Sequence, residues 1–311
     1  MSDVRYRIDL ESNEYPSCIK DLADAPKCIY VRGNLDALNM PSLSIVGARS
    51  ASPYGLSVAE IAATVAVQSG LAVVSGGAKG CDQAAGRAAL AAGGIHVIVL
   101  GCGADVVYPR SSASLIDQAL ASNGAIVSLD PWGTQPRKYS FPRRNRIIAA
   151  LSQALCITEA GLPSGTFSTA ETALELGREI LAVPGSILSP ESKGTNHLIA
   201  NGACCIADED ALEMAISRIY GKLRYTRIAT SVDPAWDARK RAIMQALIAS
   251  PMTLNELSLY LRCDAMSTLQ TMSEYMMQGL VERLLDGRFA PSAEVLHARS
   301  AIIQNRQPNK G

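Results

Sequence analysis

The sequence predicts an α/β protein built on a doubly wound, mostly parallel β-sheet, with a second, smaller domain at its carboxyl end. Three observations lead to this fold class. Between residues 41 and 215, short apolar runs alternate with helix-like stretches at the rhythm of βαβ units. The runs are continuously apolar, as in Val97-Ile98-Val99-Leu100, which is typical of strands buried on both faces. Beyond residue 235 this alternation ends and a helical pattern replaces it.

The apolar runs predict seven strands, at residues 43–46, 72–75, 96–100, 125–129, 154–158, 180–183 and 203–206. Helical periodicity fills the intervals between them, most clearly at 54–68 and 82–92. This spacing suits a parallel sheet, because each crossover between parallel strands needs a dozen or more residues. Residues 41–215 are therefore expected to form one α/β domain.

The carboxyl-terminal part predicts a winged helix over residues 235–292. Its pattern is three helical stretches followed by two short strands, at 235–249, 253–261, 265–278, 279–284 and 287–290. Thr253 and Glu256 fit a capping box at the start of the second helix. The preceding residues, 216–234, carry four basic groups and one acid without a clear period and are expected to be an exposed linker. The last residues, 293–311, are expected to be a disordered tail.

Composition narrows the function classes. The 311 residues are 48% hydrophobic and carry 29 basic and 29 acidic side chains, so a basic coat over the whole protein is excluded and any affinity for polyanions must be local. No apolar run reaches the ~18 residues of a membrane span, and the first residues do not resemble a signal peptide. Eight cysteines lack CxxC pairs and zinc-ligand spacing to the three histidines. We expect a soluble, cytoplasmic protein with no metal and no cofactor, acting away from the membrane.

Glycine-rich loops follow several predicted strands, at the edge where open α/β sheets bind ligands. The first, 47–52, places Arg49 between a strand and a helix amino terminus, which favours an anion. The second, 75–80, combines glycines with Ser75 and Lys79 and resembles a phosphate cradle. A third, 101–105, lacks the third glycine of a dinucleotide fingerprint, and no P-loop motif is present.

A fourth loop, Ser164-Gly165-Thr166, would aim hydroxyls and amides into the same crevice. The strongest anion signal lies elsewhere, in residues 137–146. This cluster holds five cations and two aromatic residues without an acid, although residues 41–215 as a whole hold eleven basic and fourteen acidic side chains. Cations neutralise phosphates and aromatic rings stack on unpaired bases. The cluster, including Lys138 and Arg144, therefore indicates focused binding of single-stranded nucleic acid.

Taken in order, these motifs resemble the DNA-processing protein A (DprA/Smf) family, whose core is Rossmann-like. The resemblance runs from Tyr15-Pro16 to about residue 215 and rests on the order and spacing of several segments. They are Ser44-Ile45-Val46-Gly47-Ala48-Arg49, Pro53-Tyr54-Gly55, Val73-Val74-Ser75-Gly76 with Ala78, Gly80 and Asp82, Tyr108-Pro109, Phe141-Pro142-Arg143-Arg144-Asn145-Arg146, Glu159-Ala160, Ser164-Gly165-Thr166, Pro184-Gly185 and Lys193-Gly194-Thr195-Asn196.

The resemblance implies a dimeric, non-catalytic protein that binds single-stranded DNA, protects it and loads a RecA-type recombinase, chiefly in natural transformation. It also implies which residues hold DNA: Arg49 and Ser52 from the first loop, Ser75, Gly76 and Lys79 from the second, and Phe141, Arg143, Asn145 and Arg146 from the cluster. Together with Lys138, Arg144, Ser164, Gly165 and Thr166 these are the candidate DNA-binding residues.

The chain departs from the family pattern at three places. Gly86 stands where members usually have a histidine, Leu129-Asp130 replaces a usual Ser-Glu pair, and residues 1–40 resemble only a short remnant of an amino-terminal helical domain. These departures leave open whether the role is transformation, recombination or defence against phage and mobile elements.

Two other functions stay open. Ser164-Gly165-Thr166 with Glu171 weakly resembles the phosphoribohydrolase motif of the lonely-guy family, which would make the protein an enzyme or sensor for a small nucleotide. Alternatively, the winged helix could read duplex DNA in a regulator with a ligand-sensing core. Its predicted third helix, 265–278, contains no Lys or Arg, so it is poorly suited to DNA and favours a protein–protein or regulatory role.

Overall fold

The computed structural model describes residues 4–222, 238–249, 252–283 and 287–292. The chain divides into two compact units, Met1–Tyr225 and Thr226–Gly311. Within the described residues, the first unit contains a nine-stranded sheet covered by helices, and the second contains three helices and a two-stranded sheet. No helix in the described part of the chain is long and apolar enough to cross a membrane.

The first unit has a mostly parallel sheet, which confirms the predicted fold class. Its strands are β1 (Arg5–Asp9), β2 (Cys28–Gly33), β3 (Ser42–Val46), β4 (Ala72–Ser75), β5 (His96–Leu100), β6 (Ala125–Ser128), β7 (Ala154–Ile157), β8 (Glu179–Ala182) and β9 (Cys204–Cys205). All seven strands expected from the sequence are present within one or two residues of their predicted ends. Strands β3 to β9 run parallel to their neighbours among themselves.

The strand order is β1-β2-β6-β5-β4-β3-β7-β8-β9. From β3 the chain winds outward to β6, and it then returns to place β7 on the other side of β3. The direction of winding therefore reverses between β3 and β7. Open parallel sheets bind ligands at such a reversal, outside the carboxyl ends of the strands.

The amino-terminal segment differs from its prediction. No strand is predicted in residues 1–40, but β1 pairs antiparallel with β2 and β2 pairs antiparallel with β6. Ile29 and Val31 of β2 are fully buried. These residues thus belong to the sheet of the α/β unit and do not form a separate remnant.

Helices cover both faces of the sheet: α1 (Ser17–Lys20), α2 (Pro53–Gln68), α3 (Cys81–Ala91), α4 (Ala113–Ala121), α5 (Ser140–Leu151), α6 (Thr166–Glu175), α7 (Lys193–Ala200) and α8 (Glu209–Tyr220). Successive strand residues pack on opposite faces, as the pleat requires. Val73 belongs to the core formed with α2, α3 and α8, whereas Val74 belongs to the core formed with α1, α5 and α6. Burial on both sides explains why the strands are continuously apolar.

The first residues of the predicted linker belong to a helix. Helix α8 continues to Tyr220 and ends at Gly221, which adopts a left-handed conformation with φ of 64°. The Tyr220 hydroxyl donates to the Ser42 carbonyl at 2.6 Å, so the last turn of α8 is fixed to the sheet. Residues 216–220 are thus helical, and residues 223–234 of the predicted linker lie outside the described residues.

The second unit contains α9 (Ala238–Ala249), α10 (Leu254–Leu261), α11 (Ala265–Met277), β10 (Val281–Arg283) and β11 (Phe289–Pro291). The two strands are antiparallel, and Thr253 and Glu256 form the expected capping box. Ile243, Leu257 and Met272 lie in its core. The elements follow the order expected of a winged helix, and that domain assignment stays a prediction. The predicted tail, 293–311, lies outside the described residues.

His96 explains the departure from the family pattern at Gly86. His96 is fully buried at the start of β5, and its Nε2 lies 2.8 Å from the Ser75 hydroxyl. A Cβ on residue 86 would overlap the His96 imidazole ring. The histidine ring on β5 therefore requires glycine on the facing helix α3, so the two positions are sterically linked.

We expect His96 to make the protein less stable in mild acid. Burial lowers the pKa of His96 from 6.5 to about 3, so between these values the unfolded chain binds the proton and the folded chain does not. The free energy of unfolding then falls as the pH drops below about 6.5, and His96 accounts for about 2 kcal/mol of this loss at pH 5. Urea denaturation at about pH 7 and pH 5 measures this loss in the free energy of unfolding.

The variant His96→Asn removes the buried imidazole. His197→Asn is the matched control, since His197 is exposed on α7. The wild type should lose about 2 kcal/mol more than His96→Asn between pH 7 and pH 5, and His197→Asn should behave like the wild type. An equal loss in the wild type and in His96→Asn would contradict the assignment.

Candidate functional site

A cavity of about 910 Å³ in the first unit lies where the sheet reverses its winding. Three segments form most of its wall: the first loop at residues 46–50, residues 138–148 at the start of α5, and residues 161–169 around the start of α6. The first and third of these follow β3 and β7, the two strands at the reversal. The predicted crevice therefore exists, and two of the predicted loops face each other across it.

Arg49, Phe141 and Tyr108 form one side of the cavity. The Arg49 guanidinium carbon lies 5.1 Å from the centre of the Phe141 ring, and the Tyr108 ring centre lies 5.8 Å from that of Phe141. Arg49 is exposed, as is 41% of Tyr108. A cation stacked on a ring at a cavity wall offers both a phosphate contact and a stacking surface.

Lys138 and Asn145 extend this wall toward the fourth loop. Lys138 is exposed and lines the cavity. The Asn145 side-chain amide donates to the Ser168 hydroxyl at 3.0 Å and to the Gly165 carbonyl at 3.3 Å. Asn145 thus links α5 to the start of α6, and its position beside the cavity depends on that loop.

The fourth loop lines the cavity as predicted from its place in the sequence. Ser164, Gly165 and Thr166 all contribute to the wall. The Ser164 hydroxyl accepts from the Thr166 amide at 3.2 Å and donates to the Thr166 hydroxyl at 2.9 Å. Much of its hydrogen-bonding capacity is used within the loop, so the loop is held in a defined shape.

Arg144 differs from its exposed neighbours in the basic cluster. Its side chain is 5% exposed, and its Nη1 lies 4.0 Å from Oδ2 of Asp82, which is also buried. The Asp82 carboxylate in turn accepts from the backbone amide of Gly76 at 2.9 Å. Burial raises the pKa of Asp82 and lowers that of Arg144, while each charge favours the ionised form of the other.

This ion pair gives Gly76 a steric role in addition to the predicted one. A Cβ on residue 76 would overlap the Arg144 guanidinium. The glycine therefore makes room for a protein side chain, and the DNA contact that the resemblance implies for Gly76 stays a prediction. Gly80 occupies the N-cap position of α3, and the Asp82 carboxylate holds the second loop by accepting from the amides of Gly76 and Ala78.

Two other residues of the second loop lie away from the cavity wall. Ser75 is fully buried and bonds His96, so it faces the core and is not available to a ligand. Lys79 is exposed but does not line the cavity. Ala78 is a second-loop residue that does line the cavity, and the phosphate contacts expected from this loop stay a prediction.

Ser52 is also occupied by the protein itself. Its backbone amide donates to Oε2 of Glu159 at 2.8 Å, and its hydroxyl donates to Oε1 of the same carboxylate. Its hydroxyl additionally accepts from the Gly55 amide at 3.1 Å as the N-cap of α2. The expected phosphate contact at Ser52 would have to displace these bonds.

Two cations of the cluster point to acids outside the cavity. Nη1 of Arg143 lies 3.6 Å from Oδ1 of Asp130, and Arg146 forms an ion pair with Asp24. Neither arginine lines the cavity. Of the cations in the cluster, Lys138 and the buried Arg144 are the two that do so.

Sequence reasoning missed two contributors to the site. Tyr108 was noted only as part of a motif, although an aromatic residue in the loop that follows a strand of the sheet is a signal for a stacking surface. Glu159 was also noted only within a motif, and its burial beside Ser52 could not be read from the sequence because the two residues are 107 positions apart.

Comparison with known proteins identifies the family. The family model of DNA recombination-mediator protein A matches residues 7–216. Protein Smf of Escherichia coli (strain K12) is 40% identical over 207 residues, covering 66% of this chain and 55% of that protein. DNA processing protein DprA of Streptococcus pneumoniae is 41% identical over 189 residues, covering 61% of this chain and 66% of that protein. The chain thus spans about half to two thirds of the length of these curated relatives.

Two solved structures are similar to the first unit. The X-ray structure of DprA from Streptococcus pneumoniae has a TM-score of 0.62 and 36% identity, and the match covers 68% of this chain and 74% of that one. A DprA structure from Helicobacter pylori, described as showing a single-stranded DNA binding mode, has a TM-score of 0.63 and 29% identity, over 70% of this chain and 99% of that one. Since the family model also covers more than half of the chain, the protein belongs to the DNA recombination-mediator protein A family.

Proposed function

We propose that this chain binds single-stranded DNA in the cavity between the first and fourth loops and acts as a recombination mediator. The observation that carries the proposal is the stack of Arg49 on Phe141 at the wall of a cavity that Lys138 also lines. The two cations neutralise phosphates, and the ring offers a face to an unpaired base. A duplex has its bases stacked on each other, so this arrangement favours a single strand.

The relatives support the proposal. The family's own description is recombination mediation, and the Helicobacter pylori structure is described by its single-stranded DNA binding. We include in the proposal a homodimer that works in the cytoplasm, protects the bound strand and passes it to a RecA-type recombinase without itself catalysing a reaction. The same activity would serve transformation, recombination or defence against foreign DNA.

Binding of a fluorescent 20-nucleotide strand, followed by anisotropy at several salt concentrations, tests the proposal. We expect tighter binding of the single strand than of the matching duplex. The logarithm of the association constant should fall linearly with the logarithm of the salt concentration. If Arg49 and Lys138 each hold one phosphate, this slope should be about −1.4 or steeper. Equal affinity for the duplex, or binding insensitive to salt, would contradict it.

Incubation with nucleoside monophosphates tests the rival enzymatic function. Release of free base at a steady rate would support a phosphoribohydrolase. We expect none, because Glu171, the acid of that motif, is not among the described residues that line the cavity, and Asp82, which is, pairs with Arg144 and accepts from the Gly76 amide.

A further inference from the structure

Glu159 is a buried acid immediately behind the proposed DNA-binding cavity. It lies two residues beyond the end of β7 and is 2% exposed. Its carboxylate accepts from both the amide and the hydroxyl of Ser52, and its main-chain carbonyl accepts from the Ala48 amide at 2.8 Å. Glu159 is therefore hydrogen-bonded to both ends of the segment 48–52, and Arg49 lies between these two attachment points.

The carboxylate is stabilised by the amino terminus of α2. Among the described residues no cation forms an ion pair with Glu159, so its charge is balanced by hydrogen-bond donors and by the helix dipole. Gly55 makes this approach possible, because a Cβ on residue 55 would overlap the Glu159 carboxylate. Pro53 at the start of α2 removes one amide that would otherwise need a partner.

This arrangement fills a position that a helix amino terminus would otherwise offer to an anion. A DNA phosphate cannot occupy the same place while the carboxylate is there. The anion-binding groups left at this wall of the cavity are the exposed cations Arg49 and Lys138.

We propose that Glu159 is the positioning residue of the first loop: it presents Arg49 to the strand and keeps phosphates away from the amino terminus of α2. Glu159 does not line the cavity and acts only through the loop it holds. Its effect on DNA rests on the proposed function, whereas its hold on the loop does not.

The charge of Glu159 and its positioning role predict opposite results for Glu159→Gln. Removal of an acid beside a polyanion site should raise affinity if charge alone matters. We expect affinity for the labelled strand to fall about tenfold, equivalent to about 1.4 kcal/mol, and the salt slope to become shallower by about 0.7, the contribution of one phosphate contact. In an Arg49→Ala background the same substitution should change affinity less than about twofold, because the group it positions is absent.

Two further variants separate positioning from general damage. Glu159→Asp keeps the charge but shortens the reach, and it should also lower affinity. Glu213→Gln is the matched control, since Glu213 is a buried acid on α8, 3% exposed, that does not line the cavity. It should leave affinity unchanged.

Hydrogen exchange without DNA tests the hold on the loop directly. Peptides covering residues 48–56 should exchange at least about tenfold faster in Glu159→Gln than in the wild type, because the Ser52 amide loses a charged acceptor. If the wild type fails to bind a strand but this difference is found, the proposed function fails and the positioning role stands. Unchanged exchange, or affinity equal to or higher than the wild type in Glu159→Gln, would overturn the proposal.

Discussion

Replacing Arg144 with alanine is expected to lower the free energy of unfolding by about 3 to 5 kcal/mol. The side chains of Arg144 and Asp82 are 5% and 6% exposed, so the substitution would leave a buried carboxylate without its cation. The amides of Gly76 and Ala78, which donate to Asp82 at 2.9 and 3.4 Å, would remain its only partners among those described here. Urea denaturation at pH 7 measures the loss.

The neighbouring arginine provides the matched control. Arg143 is 53% exposed and 3.6 Å from Asp130, so Arg143→Ala should change the free energy of unfolding by less than about 0.5 kcal/mol. The double variant Arg144→Met with Asp82→Asn should recover part of the loss, because it removes both buried charges together. If Arg144→Ala and Arg143→Ala are equally stable, Arg144 is not the structural residue described here.

The strands of the sheet could be predicted because the requirement on each one is visible within its own few residues. A strand buried on both faces has to be apolar throughout, and β5 satisfies this at every position after His96. Strand β1 does not follow that rule: Arg5, Arg7 and Asp9 alternate with Tyr6 and Ile8, and it lies at the edge of the sheet. The only sequence signal for β1 is this alternation with a period of two, in a segment that resembles a remnant of an amino-terminal helical domain.

The composition of the basic cluster was a good guide to the site but a poor guide to its individual residues. On a helix, residues three, four and seven positions apart share a face, and Phe141, Arg144, Asn145 and Ile148 all line the cavity. Arg143 and Arg146 lie on other faces of α5. Helical spacing could have separated these groups, but burial of Arg144 could not be foreseen, because it depends on the distant residues Gly76 and Asp82.

The largest expected effect on binding comes from removing the exposed cations that line the cavity. Arg49→Ala combined with Lys138→Ala is expected to weaken binding of the labelled strand roughly 100-fold, or about 2.7 kcal/mol, because two phosphate contacts at the cavity are lost. The salt slope should become shallower by about 1.4, which is the value for two phosphates on a single strand. Anisotropy titrations at about 50 to 200 mM salt measure both the affinity and the salt slope.

Arg143→Ala combined with Arg146→Ala removes the same number of positive charges, both of them from the basic cluster. Because these arginines face Asp130 and Asp24 outside the cavity, we expect a loss of no more than about threefold, from weaker long-range attraction alone. Equal losses in the two double variants would mean that the strand responds to the total positive charge removed and not to the cavity. A large loss confined to Arg49 and Lys138 would instead explain how a core with a net negative charge binds a polyanion: the cations that matter are those that the fold leaves unpaired at the reversal of the sheet.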